Sequence, residues 1–308
     1  MPLLGRTALD VFPLCLGGNV FGWTLDDDQS FAVLDAYAAA GGNFIDTADA
    51  YSTWKDGNSG GESETIIGRW LTSRGNRDRM VIATKVAKLE ARPGLSAANI
   101  RAAVEDSLRR LGTDYIDLYY AHEDDPTVPL EETLGAFDAL VREGKVRHLG
   151  ASNFAADRLD EALLVSEATG LARYEVLQPH YNLMERAYEG ELRDVCVQRD
   201  VACVPYFALA MGFLTGKYRS SGTRVESVRA AAAAKYLEEG GEAVLSVLDE
   251  LAASRETTVA AVALAWLAAQ PTVAAPIASA RTVEQLSALL PMTGISLTGD
   301  EIARLSAP

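Results

Sequence analysis

VIATKVAKLEARPGLSAANIRAAVEDSLRRLGTDYIDLYYAH, residues 81–122, holds one complete repeat of the fold. Val81–Thr84 is a short apolar run with β-branched residues, the pattern of a buried strand. Ala97–Leu111 places Ile100, Val104, Leu108 and Leu111 at helical spacing. Gly112 follows, where a helix end favours a left-handed residue. Ile116–Tyr120 is a second short apolar run. Strand, helix, strand is a βαβ unit, and its two strands lie parallel.

The same alternation continues in both directions. Leu14–Leu16, Phe44–Asp46, Val146–Gly150, Glu175–Gln178, Ala202–Tyr206 and Ala274–Ile277 bring the strands to eight. Helical spacing recurs in Asp28–Ala40, Ser63–Leu71, Leu130–Glu143, Ala156–Thr169, Gly190–Arg199, Glu242–Ser254, Val259–Ala269 and Val283–Leu290. With no break in composition, eight repeats predict the α/β class and a single (β/α)₈ TIM barrel, one domain over residues 1–308. Leu3–Phe12 reads as a small N-terminal hairpin. Phe207–Arg229 is long for a loop after a strand, and such loops at the C-terminal face are usually functional. A doubly wound sheet would carry G-x-G-x-x-G. Gly17-Gly18-Asn19 has the wrong spacing, so a dinucleotide would bind by another route.

The net charge of −15 argues against nucleic acid and anionic membrane as partners. An anionic cofactor would need a local basic site. Cys15, Cys196 and Cys203 form no C-x-x-C pair and sit in apolar stretches, as reduced thiols do in the cytoplasm. No signal peptide and no membrane-length apolar run is apparent. His122, His148 and His180 make no metal-ligand spacing, so no metal is expected, and no G-x-S-x-G elbow occurs.

Barrels of this kind present their chemistry at the C-terminal strand ends. Asp46 and Tyr51, Lys85, His122, Ser152-Asn153, Gln178, Tyr206, and Ser279 with Arg281 all stand there. Taken singly, each has an ordinary structural explanation as cap, packing or solvated residue. Together they suit carbonyl reduction, which needs a hydride on carbon and a proton on oxygen. A free phenol is a poor proton donor at neutral pH. Lys85 would lower the pKa of Tyr51, Asp46 would hold Lys85, and His122 would orient the carbonyl oxygen.

These segments resemble the aldo-keto reductase family over essentially the full length. The resemblance is carried by GNFIDTADAY (Gly42–Tyr51), ATK (Ala83–Lys85), DYIDLYYAH (Asp114–His122), KVRHLGASNF (Lys145–Phe154), QPHYN (Gln178–Asn182) and GFLTGKY (Gly212–Tyr218). It implies direct hydride transfer from NADPH, with NAD possible, and Tyr51 as proton donor. Gly18 and Asn19 join the cofactor-facing set. The resemblance implies Ser152, Asn153 and Gln178 at the nicotinamide carboxamide and Tyr206 under the ring. It implies Leu209, Gly212, Leu214, Thr215 and Lys217 at the pyrophosphate, and Ser279, Arg281 and Gln285 at the adenosine. Arg281 suits a 2′-phosphate. Ser279 and Leu289 stand where related segments often have Gly and Asn. Phe21, Trp23, Trp54 and His180 are candidates for the substrate pocket, which would take a small carbonyl compound. Oligomeric state, monomer or homo-oligomer, stays open. Two other readings stay open: a cofactor-sensing, weakly catalytic interaction protein resembling channel-associated subunits, and a barrel lyase or isomerase using Lys85 as a Schiff-base amine.

Overall fold

A computed structural model describes residues 3–219 and 235–307. Its strands are β1 (Cys15–Gly17), β2 (Phe44–Asp46), β3 (Val81–Val86), β4 (Ile116–Ala121), β5 (Val146–Ser152), β6 (Tyr174–Gln178), β7 (Ala202–Cys203) and β8 (Ile277–Ala278). All pair in parallel, in the order β7-β6-β5-β4-β3-β2-β1-β8. Cys203 bridges Val273, and its backbone N–H donates to Thr272 O at 2.8 Å while its carbonyl accepts from Ala274 N–H at 2.9 Å. The sheet therefore curls round to meet itself as a (β/α)₈ barrel.

Pro205 and Pro276 shorten the last two strands relative to the sequence expectation. Proline has no N–H to give to a ladder. Their carbonyls still accept bonds, from Ile277 N–H at 2.9 Å and Cys15 N–H at 2.9 Å.

The interior is filled by Cys15, Phe44, Val81, Ala83, Leu118, Tyr120, Val176, Val204 and Ile277. Leu4 and Val11 of the N-terminal hairpin join this cluster and close the lower end of the barrel. The hairpin itself is one antiparallel bridge, Leu3 to Asp10. At Gly150 an added Cβ would meet the Tyr120 ring at 2.3 Å, so only glycine lets β5 lie against that ring.

Helices wrap the outside: α1 (Asp27–Ala39), α2 (Glu62–Arg74), α3 (Ala97–Leu111), α4 (Leu130–Arg142), α5 (Ala156–Thr169), α6 (Glu191–Arg199), α7 (Gly241–Ser254), α8 (Val259–Ala268) and α9 (Val283–Leu289). Local chemistry sets their ends. Asp26 and Gln29 form a capping box ahead of α1, and Ser96 caps α3, a contribution of about 1 kcal/mol each. Gly68 on α2 has no room for a Cβ, which would lie 2.3 Å from the Arg110 carbonyl. That close approach brings Glu64 of α2 to Arg110 of α3.

A further helix, α10 (Gly299–Ser306), was not anticipated. Thr298 and Glu301 form its capping box, and Ser306 accepts a bond from Trp266 Nε1 at 3.1 Å. No helix among the described residues is long and apolar enough to cross a membrane.

Candidate active site

The C-terminal strand ends surround one cavity of about 720 Å³. β2 and β3 run side by side, with Asp46 opposite Ala83 and Lys85 two residues further on. Lys85 is fully buried. A buried ammonium needs acceptors, and here it has three. It donates to Asp46 Oδ2 at 2.7 Å, to the Thr47 carbonyl at 2.8 Å and to the Tyr51 hydroxyl at 2.9 Å. Tyr51 donates to the same Asp46 Oδ2 at 3.1 Å. Gln178 Nε2, from the far side of the barrel, donates to Asp46 Oδ1 at 2.8 Å. Both oxygens of Asp46 are thus occupied, and one presents a shared acceptor to Lys85 and Tyr51.

The electrostatics correct one expectation. Lys85 does not outweigh burial at the Tyr51 phenol. Burial pushes it well above its usual value, and the Asp46 carboxylate pushes the same way. Asp46 offsets the ammonium at short range, so desolvation decides. Tyr51 therefore rests as the neutral phenol, the form that can donate a proton. Burial pulls Lys85 downward while Asp46 holds it up. Burial, then Lys85 and Lys88, pushes His122 well below its usual value, so the imidazole is neutral. Its Nδ1 is buried without a protein partner. The His122 and Tyr51 rings lie 6.0 Å apart, edge to face.

The wall beyond is tied together by side-chain amides. Asn153 Nδ2 donates to the His122 carbonyl at 2.8 Å and to Ser152 Oγ at 3.1 Å. Its Oδ1 accepts from the Tyr206 hydroxyl at 2.8 Å. Asn153 sits at φ 56°, a left-handed position that asparagine tolerates. Ser152 donates to the Gln178 carbonyl at 2.9 Å. Tyr206 offers a flat face to the cavity, with His180 stacked on it at 5.3 Å. Past Tyr206 the chain makes a tight turn, with Ala210, Met211 and Gly212 all at positive φ.

Most of the expected residues line this one cavity: Asp46, Tyr51, His122, Asn19, Ser152, Asn153, Gln178, Tyr206, Leu209, Gly212, Thr215, Lys217, Ser279, Arg281, Gln285, Trp23 and Trp54. Lys85 lies directly beneath Tyr51. Four others do not line it either. Phe21 and Leu214 are fully buried in the core. Gly18 packs against Ser63, whose hydroxyl donates to its carbonyl at 2.8 Å, and Gly17 borders the cavity instead. His180 supports Tyr206 from behind. Of the Phe207–Arg229 loop, residues 220–229 lie outside the described residues. Lys88, Met211 and Tyr218 line the cavity without having been singled out. The signal for Lys88 was its position three residues past Lys85.

The cavity fits a large, flat, anionic ligand. Among its described lining residues Asp46 is the only carboxylate. Lys217 and Arg281 line it and have no carboxylate partner among the described residues. In a chain of net charge −15, unpaired cations in a cavity point to an anion that binds there. Ser279 Oγ donates to Asn19 Oδ1 at 2.5 Å and ties the ends of β8 and β1 together beside it.

The sequence model of the Aldo/keto reductase family matches residues 13–307. The uncharacterized oxidoreductase YrpG of Bacillus subtilis is 37% identical, over 98% of this chain and 93% of its own length. Norsolorinic acid reductase stcV of Emericella nidulans is 34% identical, over 98% of this chain and 78% of its own. An aryl-alcohol dehydrogenase [NADP(+)] of Phanerodontia chrysosporium is 31% identical, over 97% of this chain and 82% of its own.

Proposed function

Because the chain belongs to the aldo/keto reductase family, we propose that it reduces aldehydes or ketones to alcohols, using NADPH as hydride source and Tyr51 as general acid. The observation that carries this reading is the Asp46–Lys85–Tyr51 chain of hydrogen bonds opening onto the cavity beside neutral His122.

A reduced nicotinamide, when bound, supplies the hydride. The residues do the rest. His122 offers a ring N–H to the carbonyl oxygen and polarises it. Tyr51 gives its proton to that oxygen as negative charge develops there. Lys85, 2.9 Å from the phenol oxygen, stabilises the phenolate left behind. Asp46 keeps Lys85 charged and in place. Run backwards, the same groups would oxidise an alcohol.

Ser152, Asn153 and Gln178 would hold the carboxamide, and Tyr206 would stack under the ring. Leu209, Gly212, Thr215 and Lys217 would take the pyrophosphate, with Arg281 and Gln285 at the adenosine. The Arg281 guanidinium, on the cavity lining, would pair a 2′-phosphate bidentately, which favours NADP over NAD. A relative named for NADP(+) supports that preference.

The complete relay favours an enzyme over a cofactor-sensing protein. Lys85, fully buried and engaged by three acceptors, is poorly placed as a Schiff-base amine. The test is direct: the purified protein consumes NADPH in the presence of a nitrobenzaldehyde. Tight NADPH binding with no turnover across a panel of aldehydes and ketones would favour the cofactor-sensing alternative. Arg281→Ala weakens NADPH about tenfold more than NADH, the worth of a charge-assisted hydrogen bond. Equal weakening would remove Arg281 from the 2′-phosphate.

A further inference from the structure

β3 ends at Val86, and the next residue, Ala87, has φ 119°. A residue with a Cβ avoids that region, so the turn is strained and must be held by its surroundings. The Ala87 carbonyl accepts from Gly94 N–H at 2.9 Å, which closes the loop over residues 87–94. On the neighbouring strand His122 N–H donates to the Val86 carbonyl at 2.8 Å. The strained turn thus carries Lys88 into the cavity wall near His122, whose ring feels its charge.

Lys88 pairs with Glu123 at 3.2 Å, but the two side chains are 37% and 45% exposed. A pair so exposed is screened by solvent and holds its members weakly. Only Lys88 of the two lines the cavity. The one lining carboxylate, Asp46, is already saturated by three donors. The remaining lining cations, Lys217 and Arg281, sit on the loops after β7 and β8, among the residues assigned to the cofactor. Lys88 is therefore a cation that the cofactor assignment leaves free for substrate.

Aromatic rings line the same cavity. The Trp23 and Trp54 rings meet edge to face at 5.6 Å, and Trp54 lies 6.0 Å from the Tyr51 ring. We propose that Lys88 forms an anion subsite at the substrate end of the cavity, and that the preferred substrates are aromatic carbonyl compounds bearing a carboxylate. This rests on the reduction reading above and names its substrate class.

The test compares a carboxybenzaldehyde with its methyl ester, both with NADPH, as the ratio of their kcat/KM values. The wild-type ratio exceeds one and falls with added salt. Lys88→Met lowers it about threefold, the scale of a part-exposed charge pair. Lys88→Arg keeps it, and Glu123→Gln raises it by releasing Lys88. A wild-type ratio at or below one, or an unchanged ratio in Lys88→Met, overturns the proposal. If neither compound is reduced, the reduction reading fails and calorimetry still decides the subsite. Benzoate binding about threefold tighter to the wild type than to Lys88→Met supports it. Equal binding overturns it.

Discussion

Asp46 and Asp49 stand three residues apart on one turn, and each is about 1% exposed. Their surroundings are opposite. Asp46 accepts from Lys85, Tyr51 and Gln178. Asp49 has no partner for either carboxylate oxygen and uses only its backbone N–H, which donates to the Lys85 carbonyl at 3.2 Å. Glu64 lies close enough to repel it, having given its own oxygens to Thr84 and Arg110. Burial, then Glu64, pushes the Asp49 carboxyl up to about 7, against the pull of Arg110 and Arg92. Burial alone does not make a carboxylate functional. A cation and hydrogen bonds keep Asp46 in use as an acceptor, whereas their absence lets Asp49 retain its proton up to neutral pH.

Exchanging each acid for its amide breaks the comparison most sharply. Asp46→Asn strands the buried Lys85 ammonium without its counter-charge. The expected cost is about 3–5 kcal/mol in urea unfolding. Turnover falls by ~10² or more, because Lys85 loses the group that keeps it charged and in place beside Tyr51. Wild-type stability in this variant would mean that the Asp46–Lys85 pair is energetically idle.

Asp49→Asn has the opposite sign. In the folded chain Asp49 binds its proton up to about pH 7, against an ordinary value of 3.8 when unfolded. The native state therefore holds more protons between those values, and stability falls as pH rises through that window. The slope is at most about 1.4 kcal/mol per pH unit. The amide removes it, so Asp49→Asn is more stable than wild type above pH 7 and converges with it below about pH 4. Urea unfolding across this range checks both limits. A difference independent of pH would detach it from Asp49 ionisation.

The pair also shows how far the sequence could be read. GNFIDTADAY contains both acids, and nothing in the letters separates them except that Asp46 closes the strand. Strand-end position was legible because a barrel repeats it eight times, and it placed Lys85 and His122 as well. The pairing of Asp46 with Lys85 was expected, and the β2–β3 register that sets Lys85 beside Asp46 is its cause; the unpartnered state of Asp49 was not legible. Phe21 failed as a wall residue for a similar reason. Its neighbours suggested the cavity mouth, but the short turn from Gly18 to Leu25 folds it into the core. The direction of the Tyr51 shift was misjudged because the sequence shows a nearby cation but not the burial, nor the Asp46 charge, that raises the phenol. The helix Gly299–Ser306 was missed although T-x-x-E at Thr298–Glu301 announced its start.

The central claim is that Tyr51 gives the proton while Lys85 and Asp46 prepare it. The most direct measurement is turnover of a nitrobenzaldehyde by Tyr51→Phe, alongside its NADPH dissociation constant. Turnover reduced by ~10²–10⁴ with NADPH affinity unchanged is the predicted result. Wild-type turnover in Tyr51→Phe would contradict it.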